Sequence, residues 1–348
     1  MSFEFDTSPQ GKQAFWLRQN ALRDRLAWLL PQVSVSDIDI STTELSGNAA
    51  FVQYVRLHRL THLSSGQVLH VVEKSIRKVL GITSLEARFY RERGMLATSQ
   101  HFQHPQCYGV IETPWESLIY TQYIQGRAPS MHRAGAQMAQ GIAELEARTF
   151  DHLQRAQLGK RWHYWQMDFF KPWYLLRPRF NVAWCLRYLR ELAVDDKRFA
   201  GLERPLRELL TRLHSKGREV RKTQRCFCHL DYLRKNLFVS PQGLQLIDWS
   251  EVKVGRIGFD GGAYLSAVFR RTEMTRYEAV RDAFIAAYRE ALDPRFDVEE
   301  VLANVRYMFV LNALRNCLRP KAIEEFRSRG KLPLLHAKLH YLLTLQPV

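Results

Sequence analysis

Residues 229–250 read HLDYLRKNLFVSPQGLQLIDWS, and this stretch limits the fold more than any other. LFVS and LQLIDW are short β-rich runs joined by PQG, the pattern of a hairpin. The segment HLDYLRKN enters the first strand, and Asp248 falls where the second strand ends. A hairpin that brings a loop and a strand end together can converge Asp231, Asn236 and Asp248 on one point. These are hard oxygen donors of the type Mg2+ takes when it also binds phosphate oxygens. Asp and Asn also form turns, which is the plain alternative for each residue alone.

The surrounding chain alternates in texture. Residues 10–30 place Phe15, Leu17, Leu22, Leu26, Trp28, Leu29 and Leu30 among polar residues, which predicts an amphipathic helix ended by Pro31. ISTTEL, FVQYVRLHRL and QVLHVVEKSI are β-rich runs separated by turn material. Residues 83–97 open with a capping Thr or Ser, which predicts a helix. CYGVIET and SLIYTQYI predict two more strands, and beyond about residue 130 the periodicity is mainly helical. The expected fold is therefore α+β, a small antiparallel sheet carrying one helix followed by a larger helical part. The boundaries expected are a helical extension over 1–40, a sheet lobe over 41–124 and a helical lobe over 125–348.

The spacing His229, Asp231, Asn236, then Ile247, Asp248, Trp249 resembles the H-x-D-x-x-x-x-N and I-D-W signature of the aminoglycoside phosphotransferase and choline kinase branch of the protein-kinase-like superfamily. Downstream, Gly255 and Asp260 match the family's G-x-x-x-x-D-L-A continuation, with Gly261 in place of its Leu. The resemblance implies a bilobal protein-kinase-like fold and transfer of the γ-phosphoryl of ATP to an alcohol. It implies that Asp231 orients the acceptor hydroxyl and takes its proton, and that Asn236 and Asp248 hold Mg2+. His229 would pack beneath the loop and hydrogen-bond its backbone.

The same resemblance implies upstream parts in a fixed order. Ser46, Gly47 and Asn48 would form the turn over the phosphates, and Lys74 would reach the α- and β-phosphates. Glu86 would fix that lysine, with Glu92 as the alternative. Gln122, Tyr123 and Ile124 would form the hinge whose backbone binds adenine. Two departures stand out: neither D-F-G nor A-P-E occurs, and Glu146 occupies a helix position where relatives often carry His. Arg234 and Lys235 put two cations in the loop beside Asp231.

Charge bears on the acceptor. Lys plus Arg number 51 against 35 Asp plus Glu, a net +16, and residues 151–225 hold 18 basic against 8 acidic residues. Such a field draws anionic partners, and its plain alternative is a solvated surface. Residues 161–190 mix Trp, Tyr, Phe and Arg; they suit sugar stacking, a quaternary ammonium, an anionic membrane face or simple core packing. A polycationic aminoglycoside calls for an acidic cleft, so the charge favours an anionic acceptor such as a phosphorylated sugar or a lipid-linked glycan. Two other classes rank lower. A non-catalytic kinase-fold scaffold is disfavoured because Lys74, Asp231, Asn236 and Asp248 are all present. Nucleic-acid binding lacks a recognised module.

The five cysteines, Cys107, Cys185, Cys226, Cys228 and Cys317, include no C-x-x-C pair. That argues against a disulfide framework or a zinc site. With no signal-peptide layout at the N-terminus and no run near the ~18 apolar residues of a membrane span, the expected location is the cytoplasm. A peripheral contact at the inner face of a membrane suits the basic charge.

Overall fold

Alternation of inward and outward side chains along one strand, V-V-E-K-S-I, determines much of the first half of the structure. The computed structural model describes residues 12–15, 22–30, 35–46, 51–78, 84–91, 100–156, 186–240 and 243–345. They belong to two compact units, one of Met1–Ala128 with Leu237–Val252 and the other of Pro129–Asn236 with Lys253–Val348. The stretch that carries Asp248 is therefore grouped with the N-terminal unit, and Asn236 ends a run of the second.

In the first unit the chain runs β1 (Lys12–Phe15), α1 (Leu22–Leu29), β2 (Ile38–Ser46), β3 (Val52–His62), β4 (Val68–Arg77), α2 (Leu85–Arg91), β5 (Phe102–Gln103), β6 (Cys107–Glu112) and β7 (Glu116–Gln122). The main sheet has the order β1-β6-β7-β4-β3-β2. On β4, Val71, Glu73 and Ser75 share one face while Val72, Lys74 and Ile76 share the other, because successive side chains alternate. The Val71 face is covered by α1: Leu26, Leu29 and Leu30 pack with Leu60, Val71, Leu118 and Tyr120. Glu73, fully buried there, accepts hydrogen bonds from Arg25 Nη2 at 3.2 Å and Tyr54 Oη at 2.8 Å. Its Oε2 also lies 2.7 Å from His58 Nε2. Burial alone would push this carboxyl up, yet His58, Arg25 and Tyr54 hold it below its ordinary value.

One sequence expectation fails here. Residues 10–30 are not a single helix: Lys12–Phe15 pairs in parallel with β6, Lys12 opposite Gly109 and Phe15 opposite Glu112. The described helix is Leu22–Leu29, where Leu22, Leu26 and Leu29 keep one face. The reason lies in β6, every residue of which is buried. Left as an edge it would bury backbone N–H and C=O groups without partners, and β1 supplies them. Helical periodicity in the neighbouring sequence cannot reveal such a demand. The helix expected over 83–97 is described as Leu85–Arg91, with Ser84 Oγ accepting from Ala87 N at 3.0 Å as its cap; residues 92–97 lie outside the described residues.

The second unit begins with α3 (Gly135–Ala156), α4 (Arg187–Asp195), α5 (Glu203–Val220) and β8 (Arg225–Cys228). The chain then returns to the first unit for the hairpin β9 (Leu237–Ser240) and β10 (Gly243–Leu246), which joins β5 in a three-stranded sheet. It re-enters the second unit with β11 (Lys253–Arg256), antiparallel to β8, and continues through α6 (Phe259–Arg271), α7 (Met274–Ala291), α8 (Val298–Leu318), α9 (Pro320–Ser328) and α10 (Leu332–Thr344). The α+β arrangement, antiparallel sheet first and helices after, is thus present. A Cβ on Gly262 would stand 2.4 Å from the Val305 carbonyl oxygen, so this glycine lets α6 cross directly on the backbone of α8. Gly261 abuts the same crossing, with its Cβ position 3.2 Å from Val305 Cγ2; a larger side chain there would press on Val305. No described helix is long and apolar enough to cross a membrane.

Candidate functional site

In the first unit, strand alternation turns Lys74 away from the α1 face, and two carboxylates meet it. Lys74 Nζ lies 2.6 Å from Glu86 Oε2 and 3.0 Å from Asp248 Oδ1. One partner is 12 residues away and the other 174. Burial alone would push the Lys74 ammonium down. The charges of Glu86 and Asp248 outweigh that and hold it above its ordinary value. Of the two glutamates weighed from the sequence, Glu86 makes the pair; Glu92 lies outside the described residues.

Asp248 reaches the lysine from an unusual backbone. Its φ is +64°, a left-handed conformation uncommon for residues other than Gly. The tight turn between β10 and the 3-10 turn Trp249–Glu251 requires it. Trp249 secures that turn. Its ring stacks on Phe89 of α2 with centroids 3.9 Å apart and 10° between planes, and both side chains are fully buried. Glu86 and Phe89 stand three residues apart on α2 and so share a face. One helix face therefore ion-pairs the lysine and packs the turn that carries Asp248. The sequence contains Trp249 in its I-D-W run and Phe89 three residues after Glu86, but nothing in it says that the two rings touch.

The Asp231 loop belongs to the second unit. Asn236 Nδ2 donates to Asp231 Oδ2 at 2.9 Å and to the Asp231 carbonyl at 3.0 Å. With both amide hydrogens engaged on Asp231, the Asn236 carbonyl oxygen is the end directed elsewhere. His229 is fully buried, and its Nδ1 accepts from Asp231 N at 3.2 Å. Among the described residues, Leu230 is the other non-glycine residue with a left-handed backbone, at φ +64°. The bend there is held by Asp260, whose two oxygens accept from His229 N at 3.0 Å and Leu230 N at 2.9 Å. Arg234 and Lys235 lie exposed on the loop's 3-10 turn.

The other expected parts divide. Gln122 N donates to Gln106 O at 2.8 Å and Tyr123 N to His70 O at 3.2 Å. Among the described residues the Ile124 N–H takes no partner, so of the three hinge residues it alone offers a donor. Ser46 closes β2, whereas Gly47 and Asn48 lie outside the described residues, as do the aromatic and basic residues 161–185 with Arg177 and Arg179. In the described part of the basic segment some charge is internally matched: Arg190 and Arg207 both pair with Glu203. Cys226 and Cys228 are buried on β8, where burial pushes the Cys226 thiol up to about 11.

A divalent ion suits the donors present. Among the described residues no three His, Cys, Asp or Glu groups gather as a metal centre. Taken separately, Asp248 of the first unit offers a carboxylate with its side chain 22% exposed, and Asn236 of the second offers an amide oxygen. Hard oxygens of this kind suit an ion that completes its shell with phosphate and water.

The chain resembles in structure a choline kinase from Cryptosporidium parvum Iowa II, at 12% identity over 92% of this chain and 93% of that one, with a TM-score of 0.51. A thermostable mutant of an aminoglycoside phosphotransferase matches 91% of this chain and 97% of its own, at 12% identity and a TM-score of 0.48. No curated protein matches. The choline kinase likeness shows the protein-kinase-like fold, and the match to the phosphotransferase enzyme family extends over residues 17–298. This chain belongs to that family.

Proposed function

We propose that this protein transfers the γ-phosphoryl of ATP to a hydroxyl of an anionic small-molecule or glycan acceptor. The observation that carries the reading is the pairing of Lys74 with Glu86 and Asp248. A lysine whose charge is secured from two distant parts of the chain is suited to meeting phosphate oxygens. Lys74 reaches the α- and β-phosphates in this reading, and Glu86 keeps it extended. Ser46, Gly47 and Asn48 are assigned to the phosphates by the family resemblance alone. Ile124 N–H and the neighbouring Gln122 and Tyr123 backbone bind adenine.

Asp248 and Asn236 are the residues that hold Mg2+, which supplies positive charge to the phosphate oxygens when bound. Asp231 acts on the acceptor. The acceptor oxygen bonds to the γ-phosphorus as the bond to the β-phosphate oxygen breaks, ADP leaves, and the hydroxyl proton passes to the Asp231 carboxylate. Asn236 supports this role by anchoring Oδ2. The preference for an anionic acceptor rests on the net charge of +16 and on the exposure of Arg234 and Lys235 three and four residues beyond Asp231.

The test is ATP consumption across sugars, phosphorylated sugars, amino alcohols and glycolipids, with Asp231→Asn as the blank. Turnover with an anionic acceptor, absent in the variant, is expected. Turnover only with cationic acceptors would overturn the acceptor class, and none at all with any nucleotide would overturn the reaction. Sedimentation with anionic vesicles separates a lipid-linked acceptor from a soluble one.

A further inference from the structure

Glu146 on α3 is a carboxyl with no solvent contact, and the proposed reaction gives it no part. Its Oε1 accepts from Gly258 N at 3.0 Å and from Asp260 N at 3.2 Å, and the Tyr288 hydroxyl donates to Oε2. Those two N–H groups open α6, where Gly258 is the N-cap with φ +95°. A Cβ at Gly258 would stand 2.5 Å from the Val301 carbonyl oxygen, so the turn has no slack on its other side. Asp260 follows directly, and its carboxylate holds the N–H groups of His229 and Leu230. A continuous path thus runs from Glu146 through the start of α6 to the left-handed bend that sets Asp231.

We propose that Glu146 is a positioning residue for Asp231, acting through the backbone of Gly258 and Asp260. The role rests on the reading of Asp231 as the group that takes the acceptor proton. Two buried carboxyls in one network would repel if both were ionised, and burial with the charge of Asp260 pushes Glu146 from its ordinary value near 4.5 to about 8. The other titratable groups facing it are Tyr288 on α7, Cys226 and Cys228 on β8 and Tyr232 in the loop, all pushed upward by burial. A neutral Glu146 still offers Oε1 to both N–H groups and leaves Asp260 to hold the loop. Because the folded value lies above the ordinary one, the stabilising contribution is full below about 4.5. It declines as pH rises and is lost above about 8.

Three variants test this. Glu146→Gln keeps an acceptor of the same shape, so kcat stays within about threefold of wild type at neutral pH, and the fall in stability and kcat towards pH 8 is abolished. Glu146→Leu removes the acceptor; kcat falls on the order of 10–100-fold, as displacement of a catalytic group by about 1 Å does, while ATP affinity is unchanged. Amide hydrogen exchange at His229, Leu230 and Asp231 rises in the same protein. A folded Glu146→Leu with wild-type kcat and unchanged exchange would overturn the role, as would equal losses in the Gln and Leu variants. Should the Leu variant fail to fold, Tyr288→Phe decides. Its lost hydrogen bond had lowered the Glu146 value, so the alkaline fall must move to higher pH, and an unmoved fall contradicts the proposal. If no acceptor is ever turned over, the reaction reading fails, yet the exchange measurement still decides whether Glu146 sets the loop.

Discussion

The Lys74 cluster of the first unit and the Glu146–Asp260 cluster of the second both gather ionisable side chains, by opposite rules. Around Lys74 the signs alternate, and solvent still reaches the lysine and Asp248, 16% and 22% exposed at the side chain. Around Glu146 two carboxyls are fully buried, that of Glu146 neutral at neutral pH, and their partners are chiefly backbone N–H groups. The first keeps charge at a surface where further charge can be met. The second excludes water, so its charge is costly and its hydrogen bonds shape a turn. Paired charge at an exposed position marks the one, and buried hydrogen bonding the other.

That contrast can be broken most severely at Asp248. Asp248→Ala is expected to reduce metal-dependent nucleotide binding and turnover by at least about 10²-fold, the scale of losing one preorganised electrostatic partner. Calorimetry with and without Mg2+ checks it. Unchanged affinity and activity would remove the metal role.

The same isosteric change made in both clusters sharpens the comparison. Glu86→Gln removes the charge that secures Lys74, and charge-assisted hydrogen bonds contribute about 1.5–3 kcal/mol. Turnover is therefore expected to fall about 10–100-fold, whereas Glu146→Gln is nearly silent at neutral pH. Similar outcomes at the two positions would erase the distinction.

Phe89→Leu probes the packing beneath the first cluster. Losing the stack on Trp249 and opening a small cavity is expected to cost about 1–3 kcal/mol, read by denaturant unfolding, with a smaller rise in the Kd for ATP. The smallest effect concerns the basic loop. Raising salt, or replacing Arg234 and Lys235 by Gln, should raise the acceptor KM a few-fold and leave kcat nearly unchanged, because steering is screened over about 8 Å at physiological ionic strength. A flat KM would leave the charge as a solubilising surface.

Much of this was legible in the sequence where chemistry forces residue identity. Lys74, Glu86 and Asp248 each carry a group that few residues supply, and the structure pairs them, as it pairs Asn236 with Asp231. The strands β2, β3, β4, β6 and β7 could be named because period-2 alternation is local. β1 could not, since it exists to satisfy the backbone of β6, a need set some hundred residues away. The Phe89–Trp249 stack and the Glu146 path were hidden for a related reason: each joins segments whose proximity only the folded chain creates. Gly261 reads as a bare departure from the family pattern in the sequence, and only the α6–α8 crossing shows that a side chain there would press on Val305.

The most direct test of the account measures Mg2+-ATP affinity and phosphoryl transfer in one preparation of Asp231→Asn. The account predicts nucleotide affinity near wild type with transfer lowered by about 10²–10⁴-fold for the lost base, and further for lost positioning. Affinity and transfer falling together would contradict it, because Asp231 would then belong to the nucleotide site or to the fold and not to the acceptor.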